Sequence, residues 1–202
     1  MKKSALFIAL AILTLASCQP NRLLRSEKKL IGAGHADSAM YVLSVFNIED
    51  SLVLRERSRP VQNPQNKHIR LLEQRMLTTV MHPNSLGVGI AAPQVGISRQ
   101  MILVQRFDKE GEPFETYYNP LILSGSEETV TRHEGCLSIP GWRGPVERPD
   151  VIQIKYINHT GKEVMETVQG FTARIFQHEI DHLNGIFYTD LVYPADSIRR
   201  VE

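Results

Sequence analysis

Cysteine is nearly absent: the 202 residues contain only Cys18 and Cys136, in unlike surroundings. That excludes a disulfide framework and leaves each thiol needing its own explanation. Neither charge sign is in excess, with 23 basic residues against 22 acidic ones. A net charge of +1 gives no electrostatic footprint for nucleic acid, and none is expected as a partner. There is no internal repeat and no low-complexity stretch. The apolar run from Ser4 to Leu15 is too short to span a bilayer comfortably. What is present, a 42% hydrophobic chain of this length, suffices for one globular domain with a real core.

The front of the chain accounts for the first cysteine. Met1-Lys2-Lys3 is a short positive head, the apolar run follows, and Leu15-Ala16-Ser17 leads small residues into Cys18. This order resembles the lipobox of a bacterial lipoprotein, in which the peptide is cut before the cysteine and its thiol is lipidated. It predicts a signal peptide over 1–17 and a lipid on Cys18. A tether is expected over 18–39, because Gln19 to Gly34 is polar and basic and lacks apolar periodicity. The folded domain is then expected over 40–202.

Within that domain, Met40 to Leu54, with its short apolar runs Tyr41-Val42-Leu43 and Val45-Phe46, reads as a strand or edge segment. Ile69, Leu72, Met76 and Val80 recur at spacings of three and four, which predicts a helix from Asn66 to Met81. Gln100 to Phe107 and Thr116 to Leu123 read as strands. Val151 to Ile157 alternates, turns at Asn158-His159-Thr160-Gly161 and returns over Glu163 to Val168 as a hairpin. Strands with few helices, ending in a helical pattern, predict a single-domain α+β fold with mainly antiparallel sheets.

Chemistry concentrates in that last helix, Gln177-His178-Glu179-Ile180-Asp181-His182, followed by Gly185 where a C-terminal cap belongs. Histidines four apart lie on one helical face, one turn from each other, and can reach one divalent metal with Glu179 beside them as a base. A catalytic metal takes a third protein ligand. The extended zinc-protease motif would put a histidine at position 188, which is Tyr188, and only the terminal Glu202 offers a glutamate downstream. Cys136, set between Gly135 and Leu137-Ser138-Ile139-Pro140, is the remaining candidate. Gly87-Val88-Gly89-Ile90-Ala91-Ala92-Pro93-Gln94 lacks the third glycine and the Lys-Ser/Thr of a phosphate loop, so it reads as backbone approached closely, with Gln94 on a stiff turn.

Together, Gly87 to Gln94, Glu134-Gly135-Cys136-Leu137-Ser138 and Gln177 to His182 resemble, in order, the three motifs of the peptide deformylases. The resemblance runs from about Met40 to Leu191. It implies an α+β fold around a central metal-binding helix and hydrolysis of the N-formyl group from N-terminal formyl-methionine, with release of formate. It implies that Cys136, His178 and His182 bind the metal, Fe(II) foremost, with zinc, nickel or cobalt as substitutes. Glu179 would move the proton, and Gln94 and the Leu137 N–H would receive the oxyanion. Val88, Gly89, Glu134, Gly135, Arg143, Phe171 and Ile175 would contact the substrate, a formyl-methionyl peptide or a nascent or exported chain. The chain is read as a monomer. The lipoprotein leader places it on a membrane outside the cytoplasm, whereas the family habit is cytoplasmic. The alternative function is a lipid-anchored formyl-peptide-binding protein without turnover.

Overall fold

A computed structural model describes residues 22–84 and 86–201. The expected signal peptide and Cys18 lie outside the described residues. Among those described, no helix is long and apolar enough to cross a membrane. The elements are α1 (Arg25–Ile31), α2 (Ile48–Leu54), α3 (Lys67–Val80), β1 (Gly89–Ala91), β2 (Met101–Gln105), β3 (Phe114–Gly125), β4 (Thr129–Cys136), β5 (Ile139–Pro149), β6 (Val151–Ile157), β7 (Glu163–Gln169), α4 (Gly170–Leu183) and β8 (Arg199–Arg200).

A five-stranded sheet in the order β1-β2-β3-β6-β7 is antiparallel at every pairing. Period-two alternation divides its side chains between two helices. Met101, Leu103 and Tyr118 pack with α3 residues Ile69, Leu72, Met76 and Val80. Ile102, Val104 and Tyr117 point the other way, to Ala173, Phe176, Ile180 and Leu183 of α4. Helix α4 is thus buried beneath the sheet, and a smaller sheet of β4, β5 and β8 lies beside it. Helix α3 forms where its periodicity predicts, with the Asn66 side chain accepting from the His68 N–H at its start. The β6–β7 hairpin also falls where the alternation and the Asn158 turn predict.

Two sequence expectations are corrected. Met40 to Leu54 contains α2 instead of a strand: Asn47 caps it, accepting from the N–H groups of Glu49 and Asp50, and those two acids favour the first turn. The expected tether is, from Arg22 onward, docked structure. Ile31 is fully buried against the α3 cluster, and Glu27 forms a buried ion pair with Arg99 at 2.8 Å. Arg75 of α3 donates to the carbonyls of Leu30 and Ile31. Low apolar content failed to predict this, because a buried charge pair and backbone carbonyls carry much of the contact.

Candidate active site

Cys136 ends β4 and pairs with Ile139 across the two-residue turn Leu137-Ser138. A register shift between Gly135 and Cys136 puts a bulge there, the usual device for re-aiming a side chain at a site. The thiol is thereby aimed at α4, and Cys136 Sγ lies 3.1 Å from His182 Nε2. One ligand atom each from Cys136, His178 and His182 lies within 4.8 Å of the others. Donors tetrahedrally placed on one zinc-sized ion, with bonds of about 2.0–2.3 Å, stand roughly 3.5 Å apart, so the three residues fit a divalent metal. Burial works against a thiolate here, but the imidazoles of His182 and His178 outweigh it and hold the Cys136 pKa well below the ordinary thiol range.

Glu134 fixes the first histidine. Its Oε2 lies 3.0 Å from His178 Nδ1, which assigns the ring proton to that nitrogen and leaves Nε2 for a metal. The same carboxylate accepts both Arg148 Nε at 2.7 Å and Arg174 Nη1 at 2.6 Å. Arg148 reaches onward to Asp181 at 2.8 Å. Burial would raise the Glu134 pKa, but His178 and Arg148 hold it down at about 2. Two strands and the helix are therefore joined at one buried charge cluster. The sequence reading gave Arg148, Arg174 and Asp181 no role. The only available cue was that an acidic residue beside a metal-binding cysteine needs cationic partners when buried.

Glu179 is buried, and its Oε2 has no hydrogen-bond partner among the described residues. Burial raises its pKa to about 7, with His178 and His182 opposing. A carboxyl poised near neutrality and lacking a protein partner is suited to exchanging a proton with a small molecule in the cavity. Gln94 sits on the 3₁₀ turn Ala92–Val95. Its Oε1 accepts the Ala91 N–H at 2.8 Å, which turns the amide nitrogen outward. That nitrogen lies 3.3 Å from Ser138 Oγ and 3.5 Å from Cys136 Sγ.

Gln94, Glu134, Cys136, His178 and Glu179 line one cavity of about 430 Å³. Val88, Gly89, Gly135, Arg143, Phe171 and Ile175, expected from the sequence to contact substrate, all line it, as does Leu137, expected at the oxyanion. Glu134, also expected at the substrate, lines the cavity too, with its oxygens bound to His178, Arg148 and Arg174. Its sequence neighbourhood alone could not show these partners. Trp142 and Val201 also line the cavity, and the latter donates its N–H to the Gly141 carbonyl. Tyr188 lies beside His178, with near-parallel rings at 6.2 Å.

The sequence profile of the family described as polypeptide deformylase matches residues 42–197. The peptide deformylase of Symbiobacterium thermophilum is 44% identical over 151 residues, which cover 75% of this chain and 67% of that one. That of Halothermothrix orenii is 42% identical over 153 residues, 76% of this chain and 95% of its own. Among solved structures, a Met-Ala-Ser-bound class I type b peptide deformylase from Acinetobacter baumannii matches with TM-score 0.68 and 36% identity, covering 77% of this chain and 99% of that one. An actinonin complex of the Synechococcus elongatus enzyme matches with TM-score 0.69 and 32% identity, covering 78% and 81%.

Proposed function

This chain belongs to the peptide deformylase family, and from that premise we propose how its own residues perform the reaction. The activity is metal-dependent hydrolysis of the N-formyl group of formyl-methionyl peptides, giving formate and a free amine. The observation that carries the assignment of roles is the convergence of Cys136, His178, Glu179 and Gln94 on one cavity.

Cys136, His178 and His182 would hold the divalent metal, which when bound polarises the formyl oxygen and makes water a nucleophile at neutral pH. Glu179 takes a proton from the attacking water. It returns that proton to the departing amine as the formyl C–N bond breaks. The Gln94 Nε2–H and the Leu137 N–H receive the negative charge developing on the formyl oxygen. Glu134 keeps His178 in the tautomer that leaves Nε2 available. Val88, Phe171 and Ile175 take the methionine side chain. Gly89, Gly135 and Arg143 align the peptide backbone.

Capture without turnover finds no support, since binding alone would need neither a partnerless buried carboxyl nor an amide turned towards the thiol. Fe(II) is our choice of native metal, although a Cys/His/His donor set would also accept zinc, nickel or cobalt. We place the mature protein, a monomer, on a membrane outside the cytoplasm through lipidated Cys18, on the strength of the Lys2-Lys3 head, the apolar run and the Leu15 to Cys18 box. Its substrates there would be formylated peptides and exported chains.

Formate release from formyl-Met-Ala-Ser by anaerobically purified protein, with metal analysis of the same sample, tests the activity and the metal together. Turnover abolished by chelation and restored by Fe(II) is the expected result. Equal turnover after complete metal removal would overturn the ligand assignment. Palmitate labelling tests the anchor, and an unlabelled cytosolic chain would refute it.

A further inference from the structure

From Arg22 onward the N-terminal segment is too firmly docked to act as a loose leash. Only residues 19–21 separate Cys18 from Arg22, a span of at most about 14 Å at roughly 3.5 Å per residue. At Arg22 the chain is already gripped, because buried Arg99 donates from Nη2 to the Arg22 carbonyl at 2.6 Å. Helix α1 then turns Glu27 and Ile31 inward and leaves Arg25, Lys29, Leu24 and Leu30 exposed. Its outer face is basic with apolar residues among the charges, while its acid is committed to Arg99 and Arg59. Lys67 is exposed at the start of α3, the helix against which Ile31 of α1 packs, and adds a further cation to this side of the domain.

From there the N-terminal segment runs along α3 in the same direction. Leu23 packs in the cluster of Ile69, Arg75 holds the Leu30 and Ile31 carbonyls, and the Met40 N–H donates to Thr79. Beyond α3, Gly87 donates to the Val80 carbonyl and enters the wall of the catalytic cavity. Arg22 and the cavity therefore lie at opposite ends of a 14-residue helix, about 21 Å at 1.5 Å per residue.

We propose that residues 22–40 form a rigid strut that seats the basic face of α1 and Lys67 on an anionic lipid bilayer and holds the catalytic cavity a helix length away. The proposal rests on lipidation of Cys18. It identifies anionic lipid as the partner, because the covalent anchor brings this face to the bilayer and its charge is complementary to acidic headgroups. A long loose tether would let any face reach the bilayer; docking from Arg22 onward confines the contact to the surface within about 14 Å of Arg22.

The test uses the full chain, processed in a lipoprotein-exporting bacterium and reconstituted into phosphatidylcholine vesicles with or without about 30% phosphatidylglycerol. Intact mass first reports whether the mature protein begins at lipidated Cys18. Lysine acylation with peptide mass spectrometry then reports each ammonium group. The expected result is acylation of Lys28, Lys29 and Lys67 slowed at least about fivefold by the anionic vesicles and restored by about 0.5 M salt, with Lys109 unchanged. In a lipidated variant carrying Arg25→Glu, Lys28→Glu and Lys29→Glu, the protection of Lys67 should disappear. Lipidated protein whose lysines react alike in both vesicle types would overturn the strut alone. An unmodified Cys18 would overturn the anchoring reading itself, and the strut with it.

Discussion

Gly89 and Glu179 approach so closely that a side chain at position 89 would force its neighbours to shift. A β-carbon there would stand 2.6 Å from Glu179 Oε1 and 2.7 Å from Ile175 Cγ2. The edge strand β1 is thereby set directly against the carboxyl proposed to carry the proton. Gly89→Ala should displace the Glu179 carboxylate or push β1 outward while leaving α4 and the ligands in place. Misplacement of this kind should lower kcat by roughly 10²-fold. Wild-type kcat with full metal content would show that the contact is irrelevant to turnover.

Removing the carboxyl itself separates proton transfer from metal binding. Glu179→Ala should retain the metal, because Cys136, His178 and His182 are untouched, and should lower kcat by about 10²–10⁴-fold. Steady-state formate release paired with metal analysis reads both. A rate within about tenfold of wild type would assign the proton to another group.

Cys136→Ser replaces a thiolate by a neutral hydroxyl in the same place. Metal retention through dialysis against a weak chelator should fall steeply, with turnover falling in parallel. Metal held at wild-type affinity would remove Cys136 from the ligand set.

Glu134→Gln should act through His178. The amide cannot stabilise Arg148 and Arg174 as the carboxylate does, so buried Arg174 loses its counter-ion and Arg148 is left with Asp181. Destabilisation of about 3–5 kcal/mol in urea unfolding and metal affinity weaker by about 10–100-fold are expected. A loss of stability with unchanged metal affinity would make the cluster purely structural.

A second charge cluster, outside the cavity, sets part of the acid stability. Hydrogen bonds from Arg106 hold the Asp108 pKa at about 2, below its ordinary value of 3.8. The folded state therefore binds the proton less readily than the unfolded chain. The stabilisation is fully present above about pH 4 and is lost as pH falls towards 2. Since Asp108 is partly exposed, the gain is about 0.5–1 kcal/mol. Asp108→Asn should lower stability by that amount at pH 6 and leave it little changed at pH 2. Equal effects at both values would locate the loss in packing.

The sequence by itself determined what depends on neighbours along the chain. Four-residue spacing put His178 and His182 on one face of a helix, whatever that helix packed against. Asn66 and a three-four apolar rhythm determined α3, and alternation around the Asn158 turn determined the β6–β7 hairpin. Tertiary structure alone decided what depends on residues far apart in sequence. Cys136 and His182 meet across 46 positions, and Glu27 and Arg99 across 72. The first pair needed a bulged hairpin to aim the thiol. The second turned a polar segment expected to stay loose into docked structure. Glu134 shows the same division: its presence beside Cys136 was legible, but its use was not. A carboxylate in a strand becomes a positioning group only when packing removes water and brings Arg148, Arg174 and His178 to it, and no periodicity records which distant charges will be buried together.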